Sequence, residues 1–245
     1  MNFFNSMINV EISVVTITLN DSKGLLKTLY SLSKLNVKPR EIIVIDGGTE
    51  GLDINYIQNI FSLTLPQLTI NSEPDEGIYD AMNKGKEKCL GSLVHYLNSG
   101  DIVFGEPYEN LKHESLLPVK FVDEKGNECG GDRVKFFGTA YNHQGIIFKK
   151  NHSPYNLNYK IAADYVSILE SFPDGLKNLQ VSKNGGVQYS FGGLSTKKSF
   201  YGTMEMIKAL TIHRPLLSIV AIPAILFKTL IPRKIRRFLI KKIKN

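Results

Sequence analysis

Residues 41 to 48 read EIIVIDGG: a glutamate, four β-branched aliphatic residues in a row, an aspartate and two glycines. A short β-branched run without polar alternation is the pattern of a strand covered on both faces. Asp46 followed by Gly47 and Gly48 marks where that strand stops and turns. Upstream, ISVVTITLN (12–20) has the same character, and between the two runs Leu25, Leu26, Leu29 and Leu32 recur at helical spacing ahead of Pro39. Downstream, Leu52, Tyr56, Ile57 and Ile60 predict a second helix and QLTIN (67–71) a third strand. Ile78, Met82, Gly85 and Cys89 then form the inner stripe of a third helix, and LVHYLNSGD (93–101) is a fourth strand running into a polar turn. This alternation predicts an α/β protein with a doubly wound, mostly parallel sheet. Ligands gather at the carboxyl ends of the strands in such sheets. The polar residues expected there are Thr18 and Asn20, Asp46, Glu73 and Asp75, and Asn98 and Asp101.

From about residue 115 the pattern shortens. PVKFVDEKGNECGGDRVKFFG (118–138) reads as a hairpin with a Gly-rich turn and QGIIFKK (144–150) as a further strand, so the sheet is expected to become mixed. A helix over 161–172 carries Ile161, Tyr165, Ile168 and Phe172 on one face, and VQYSFGG (187–193) closes the body. At 100° per residue Asp164 lies about 60° from the centre of that apolar face, close enough to reach into a cleft.

Charge is distributed unevenly. The net charge is +7, yet eight basic residues and no acidic one fall between Lys228 and Asn245, leaving 22 basic against 23 acidic residues elsewhere. LLSIVAIPAILF (216–227), just before this block, is too short to cross a bilayer and is interrupted by Pro223. An apolar run joined to a basic block is a two-signal arrangement for an anionic membrane surface. It lacks the interleaved aromatics of a nucleic-acid binder, so no nucleic-acid partner is expected. Two cysteines, Cys89 and Cys129, make no disulfide framework or zinc motif. The first residues, MNFFNSMINVEIS, lack the basic start and long apolar stretch of a secretory signal. The expected location is the cytoplasm, on the inner face of the cytoplasmic membrane.

Taken in order, SVVTITLN, IIVIDGGTEG, SEPDEGIYDAMNKG, LVHYLNSGD, HQGIIFKK, the IAADY helix and FGGLS resemble the family 2 glycosyltransferases of the GT-A fold. Within that family the likeness is to enzymes that build bacterial exopolysaccharide and capsule. It covers residues 10–200, expected to be the catalytic domain, with 201–245 as a membrane-associating segment. The resemblance implies transfer of a sugar from a nucleotide-diphosphate donor, a UDP-sugar, to an acceptor hydroxyl with inversion at the anomeric carbon and the help of Mg²⁺ or Mn²⁺. With the membrane segment, it implies a lipid-linked saccharide as acceptor.

The chemistry accounts for the residue types. A diphosphate leaving group gathers negative charge that a carboxylate-held cation neutralises, and the acceptor hydroxyl needs a general base. The resemblance assigns the base to Asp164 and a contact to the nucleotide of the donor to Asp46. Strand-end placement adds Asp101 as the metal ligand and Thr18, Asp75 and Asn98 as donor contacts, Asp75 being equally suited to the positive end of the following helix, and His143 and Gln144, just before a strand, are candidates to line the sugar or acceptor pocket. Where the family shows Asp-x-Asp, this chain reads Asn98-Ser99-Gly100-Asp101, with one carboxylate. Asp80 is expected to face solvent and pair with Lys84. The rival readings are a nucleotidyltransferase, which would carry a Gly-rich basic loop after the first strand, and a degenerate nucleotide-sugar binder.

Overall fold

The structure is a computed structural model that describes residues 10–65, 67–123, 126–131, 141–190 and 199–230. Its main sheet has seven strands in the order β10-β6-β9-β4-β1-β2-β3. The central parallel part comprises β1 (Val10–Thr18), β2 (Pro39–Asp46), β3 (Leu68–Ser72) and β4 (Leu93–Tyr96). The other three strands, β6 (Ser115–Leu116), β9 (Ile146–Lys149) and β10 (Gln180–Val181), make the sheet mixed as expected, because β9 runs antiparallel to both β4 and β6. A second sheet, ordered β5-β11-β7-β8, comprises β5 (Ile102–Gly105), β7 (Val119–Val122), β8 (Glu128–Gly131) and β11 (Gly185–Ser190). In it β7 and β8 form the expected hairpin. Residues 132–138 of that hairpin reading and 191–193 of the closing strand lie outside the described residues.

Alternation within each strand divides the interior in two. Ile12, Val14, Ile42 and Val44 face a core shared with α1 (Ser22–Ser33) and α2 (Ile54–Phe61). Val15, Ile17, Ile43 and Ile45 face the other core, beneath α3 (Ile78–Lys88), α4 (Ala163–Ser171) and two C-terminal helices, α5 (Ser199–His213) and α6 (Pro215–Leu230). Each fully buried aliphatic side chain stabilises the fold by roughly 1.5–3 kcal/mol, so strands covered on both faces hold the sheet centre firmly.

Two helical stripes differ from the sequence expectation. In α3 the buried residues are Tyr79, Ala81, Met82 and Gly85, with Cys89 just beyond, while Ile78 is exposed. Tyr79 takes the inward place because its ring lies 5.4 Å from that of Tyr155 and its hydroxyl reaches a backbone carbonyl across the cleft. In α2 the buried pair is Ile57 and Phe61, whereas Tyr56 and Ile60 are exposed. This two-turn helix meets the sheet near its edge, so only a narrow stripe finds cover.

The C-terminal helices join the body through Ala209, Leu210 and Ala221, all buried in the core over α4. Outward, α6 exposes Leu216, Ile219, Val220 and Phe227, and Pro223 lies inside the helix. Among the described residues no helix is long and apolar enough to cross a membrane. Seven of the eight tail cations, from Arg233 onward, lie outside the described residues.

Candidate active site

Register aligns the strand ends. Thr18 sits opposite Asp46, and Asp46 opposite Ser72. The chain beyond β4 stays beside β1, with Leu97 N–H donating to Val15 O and Ser99 N–H to Ile17 O. The four loops that follow are tied by polar contacts. Asn20 N–H donates to Thr49 Oγ1 at 2.8 Å, and Ser99 Oγ–H donates to Asp21 Oδ2 at 2.9 Å. Asp21 in turn caps α1 through Gly24 N–H.

Asp46 is the hub of this edge and is fully buried. Its Oδ2 accepts from Ser72 Oγ (2.6 Å), Thr49 N (2.9 Å) and Gly48 N (3.2 Å), while Oδ1 accepts from Thr49 Oγ1. Four donors thus converge on one carboxylate, three of them on Oδ2. Burial alone would raise its pKa, but the bonds from Ser72, Thr49 and Gly48 outweigh it and hold the carboxyl below its ordinary value. Asp75 lies directly above: its Oδ2 is 2.6 Å from where a Cβ on Gly47 would stand, so a side chain there would push the carboxylate aside. Its Oδ1 accepts from Gly77 N at 2.8 Å. Thr18, buried at the strand end, accepts Gly47 N–H through its carbonyl. Asp80 pairs with Lys84 at 3.1 Å and also accepts from Glu76 N.

On the far side of β1 a second group of polar residues assembles around the short turn His143–Gly145, which leads into β9. His143 Nδ1 lies 3.3 Å from Asp164 Oδ2. The neighbouring Gln144 side chain accepts from Asn98 N at 3.3 Å and bonds the Asp101 carboxylate. Asp101 also accepts from Ser190 N at 2.8 Å. Burial pushes the Asp101 pKa up to about 6, against the pull of Ser190, Gln144, His143 and Lys27. His95 fastens the turn from below. Its Nε2 lies 2.7 Å from Gln144 O and its Nδ1 2.8 Å from Tyr108 OH. A carbonyl only accepts, so Nε2 carries the proton, and burial holds the ring neutral with a pKa of about 4.

Asp164, on the first turn of α4, is half-buried. Its Oδ1 accepts from Tyr165 N at 2.8 Å and lies 3.2 Å from Tyr79 OH, which also donates to Ile161 O at 2.6 Å. Its Oδ2 has His143 as its one partner among the described residues, leaving a lone pair open. Two buried atoms nearby, Asn98 Oδ1 and His143 Nε2, have no hydrogen-bond partner among the described residues. Asp101, Asn98, His143 and Asp164 thus form one connected group, while Thr18, Asp46 and Asp75 form another along the same strand-end edge. Among the described residues no three His, Cys, Asp or Glu side chains gather as a metal cluster. The sequence reading missed Tyr79 and Ser72. Strand register could have paired Ser72 with Asp46; for Tyr79 the only signal was a polar-tipped aromatic at the start of a helix.

A doubly wound sheet with ligand-facing strand ends and an acidic residue on a later helix is the architecture of a GT-A transferase, and solved structures agree. S. aureus TarS superposes with a TM-score of 0.62 at 16% identity, covering 82% of this chain and 39% of TarS. Its 1–349 fragment in complex with UDP-GlcNAc gives a TM-score of 0.63 at 15% identity, covering 82% of this chain and 65% of the fragment. The chain therefore spans less than two thirds of either, and at these identities the likeness speaks for the fold alone. No family model matches the chain. A protein of Mycobacterium tuberculosis named an uncharacterized glycosyltransferase is 39% identical over 182 residues, 65% of this chain and 68% of the relative. A PGL/p-HBAD biosynthesis glycosyltransferase of Mycobacterium bovis is 25% identical over 248 residues, 91% of this chain and 95% of the relative. The chain belongs to the glycosyltransferases, of the GT-A type.

Proposed function

We propose that this glycosyltransferase moves a sugar from a UDP-sugar to a hydroxyl of a lipid-linked saccharide in surface-polysaccharide biosynthesis, with inversion. The observation that carries this reading is Asp164, whose Oδ1 accepts from Tyr165 N–H while, among the described residues, Oδ2 has His143 as its one partner, beside a His143 Nε2 that has none. The acceptor oxygen attacks the anomeric carbon and forms the new C–O bond as the bond to the diphosphate breaks. Its proton passes to Asp164 Oδ2, and the nucleoside diphosphate leaves with the bonding electrons. The UDP-GlcNAc complex of TarS and the biosynthetic names of the mycobacterial relatives support the donor class and the setting.

The donor lies along the strand-end edge. Asp46 shapes the loop from within, Thr18 and Asp75 line it, and Asn98 and His143 face the sugar with their unpaired atoms. A divalent cation, Mg²⁺ or Mn²⁺, would be held by the Asp101 carboxylate oxygens. These are hard oxygen donors suited to an ion that also takes diphosphate and water. When bound it would neutralise charge on the leaving group. Asp164→Asn tests the assignment: turnover should collapse while UDP-sugar binding, measured by calorimetry, persists. Unchanged turnover would remove Asp164 as the base.

The membrane partner is an anionic lipid surface met by the exposed Leu216, Ile219, Val220 and Phe227 of α6 and by the eight cations from Lys228 to Asn245. Each such cation contributes about 1 kcal/mol near an anionic leaflet. Removal of 231–245 should abolish co-sedimentation with phosphatidylglycerol vesicles at physiological salt, and retention would refute the partner.

A further inference from the structure

The helix that carries Asp164 has no cap of its own, since Ala162 precedes it and supplies no side-chain hydrogen bond. Its entry is held instead from α5. Glu205 accepts three successive backbone N–H groups, Lys160 on Oε1 at 2.9 Å and Ile161 and Ala162 on Oε2 at 2.8 and 2.9 Å. A carboxylate in this place also favours the positive end of the helix dipole. The approach is close: a Cβ on Gly202 would stand 2.7 Å from Ile161 Cγ2. On the opposite side Tyr79 donates to Ile161 O. Ile161 is thus clamped through both its backbone N–H and its C=O, three residues before Asp164. The exit of α4 is tied to the same pair of helices, because Arg214 Nη2 donates to Leu169 O at 2.7 Å.

We propose that Glu205 is a positioning residue for the reaction: it sets the entry of α4 so that Asp164 Oδ2 meets the acceptor hydroxyl. The C-terminal helices then belong to the catalytic apparatus as well as bearing the membrane face. This rests on Asp164 as the base. The loops after β1 to β4, which build most of the donor edge, make no bond with Glu205 among the described residues, and the donor side meets α4 through the His143–Asp164 contact, so donor affinity should change far less than turnover. A misplacement of about 1 Å in a reacting group costs on the order of a hundredfold in rate.

The test uses the full chain as Glu205→Ala, Glu205→Gln and Asp164→Asn, with the UDP-sugar that the unaltered chain turns over. Nucleotide release gives kcat and the donor KM, and melting curves correct for the folded fraction. Glu205→Ala should lower kcat by at least about tenfold with the donor KM within about twofold. Glu205→Gln keeps one acceptor oxygen for Ile161 and Ala162 and should recover part of the rate. The proposal is overturned if Glu205→Ala retains kcat per folded molecule, or if its donor KM moves as far as kcat. Should the alanine variant not fold, an unchanged kcat in folded Glu205→Gln overturns it equally, and a partial loss supports it. If Asp164→Asn itself retains turnover, the base assignment fails first and takes this proposal with it. If only that variant is inactive, the positioning role alone is lost.

Discussion

The two halves of the strand-end edge are finished differently. Around Asp46 the carboxylate takes four donors from the protein itself, three on Oδ2 and one on Oδ1, and three loops close on one another through Thr49, Ser72 and Asn20. Around Asp101, His143 and Asp164 the network is connected but, among the described residues, incomplete: Asn98 Oδ1 and His143 Nε2 are buried without partners there, and Asp164 Oδ2 has His143 alone. Buried polar groups are ordinarily satisfied, because an unmade bond costs about 1–3 kcal/mol. On the reading proposed above, the closed half keeps the donor loops in place by its own bonds, and the substrate supplies the bonds that the open half lacks.

Exchanging the two kinds of aspartate exposes this difference most sharply. Asp164→Asn is expected to lower kcat by about a thousandfold, on the scale of general-base catalysis, with thermal stability nearly unchanged. Asp46→Ala should do the reverse and destabilise the chain by about 3 kcal/mol, because Ser72, Thr49 and Gly48 lose their common acceptor; urea unfolding measures it. Near-equal stability losses in the two variants would erase the distinction.

The Asp46 contribution carries a pH signature. Burial opposes its ionisation, but the hydrogen bonds place its folded pKa below that of the unfolded chain. The stabilisation is present above about pH 4 and is lost as pH falls through the folded value, so the variant's deficit should shrink in acid.

The smallest expected effect has the opposite sign. Asp101, pushed up to about 6 by burial, holds a proton in the folded chain that the unfolded chain releases near pH 4. Stability should therefore fall as pH rises between about 4 and 6 and carry the full cost of the buried charge above that range. Asp101→Asn, which keeps an acceptor for Ser190 N–H, should melt higher than the unaltered chain at pH 7.5, and the two should converge near pH 4.5. A lower melting point for the variant at pH 7.5 would show that the open half is as well satisfied as the closed one.

Much of the scaffold was legible because it is local. β-branched runs, leucines at helical spacing and glycines after strands report on neighbours within a few residues, and β1 to β4 lie where those signals placed them. The edge was legible too, since strand ends in a doubly wound sheet must converge. What escaped was whatever depends on a partner far along the chain. Tyr79 displaced Ile78 from the inward stripe because Tyr155 and Ile161 lie opposite, more than seventy residues on. Whether the carboxylate of Asp46 would be consumed internally or left facing a ligand could not be read from IDGG, because the answer depends on Ser72 in the next strand but one from β1. Glu205 likewise carries no local signal, because the three N–H groups it accepts lie more than forty residues back.

Pro223 gives α6 a further property. Proline has no N–H, so the carbonyl of Ile219 loses its helical donor midway along the exposed apolar stripe. In hydrocarbon an unpaired carbonyl costs several kcal/mol, whereas among hydrated headgroups water satisfies it at once. On the membrane partner proposed above, the proline would act as a depth gauge, letting side chains of this helix enter the acyl region while its backbone stays at the wet boundary. A helix floating at that level would hold the mouth of the cleft level with the polar end of a lipid-linked acceptor.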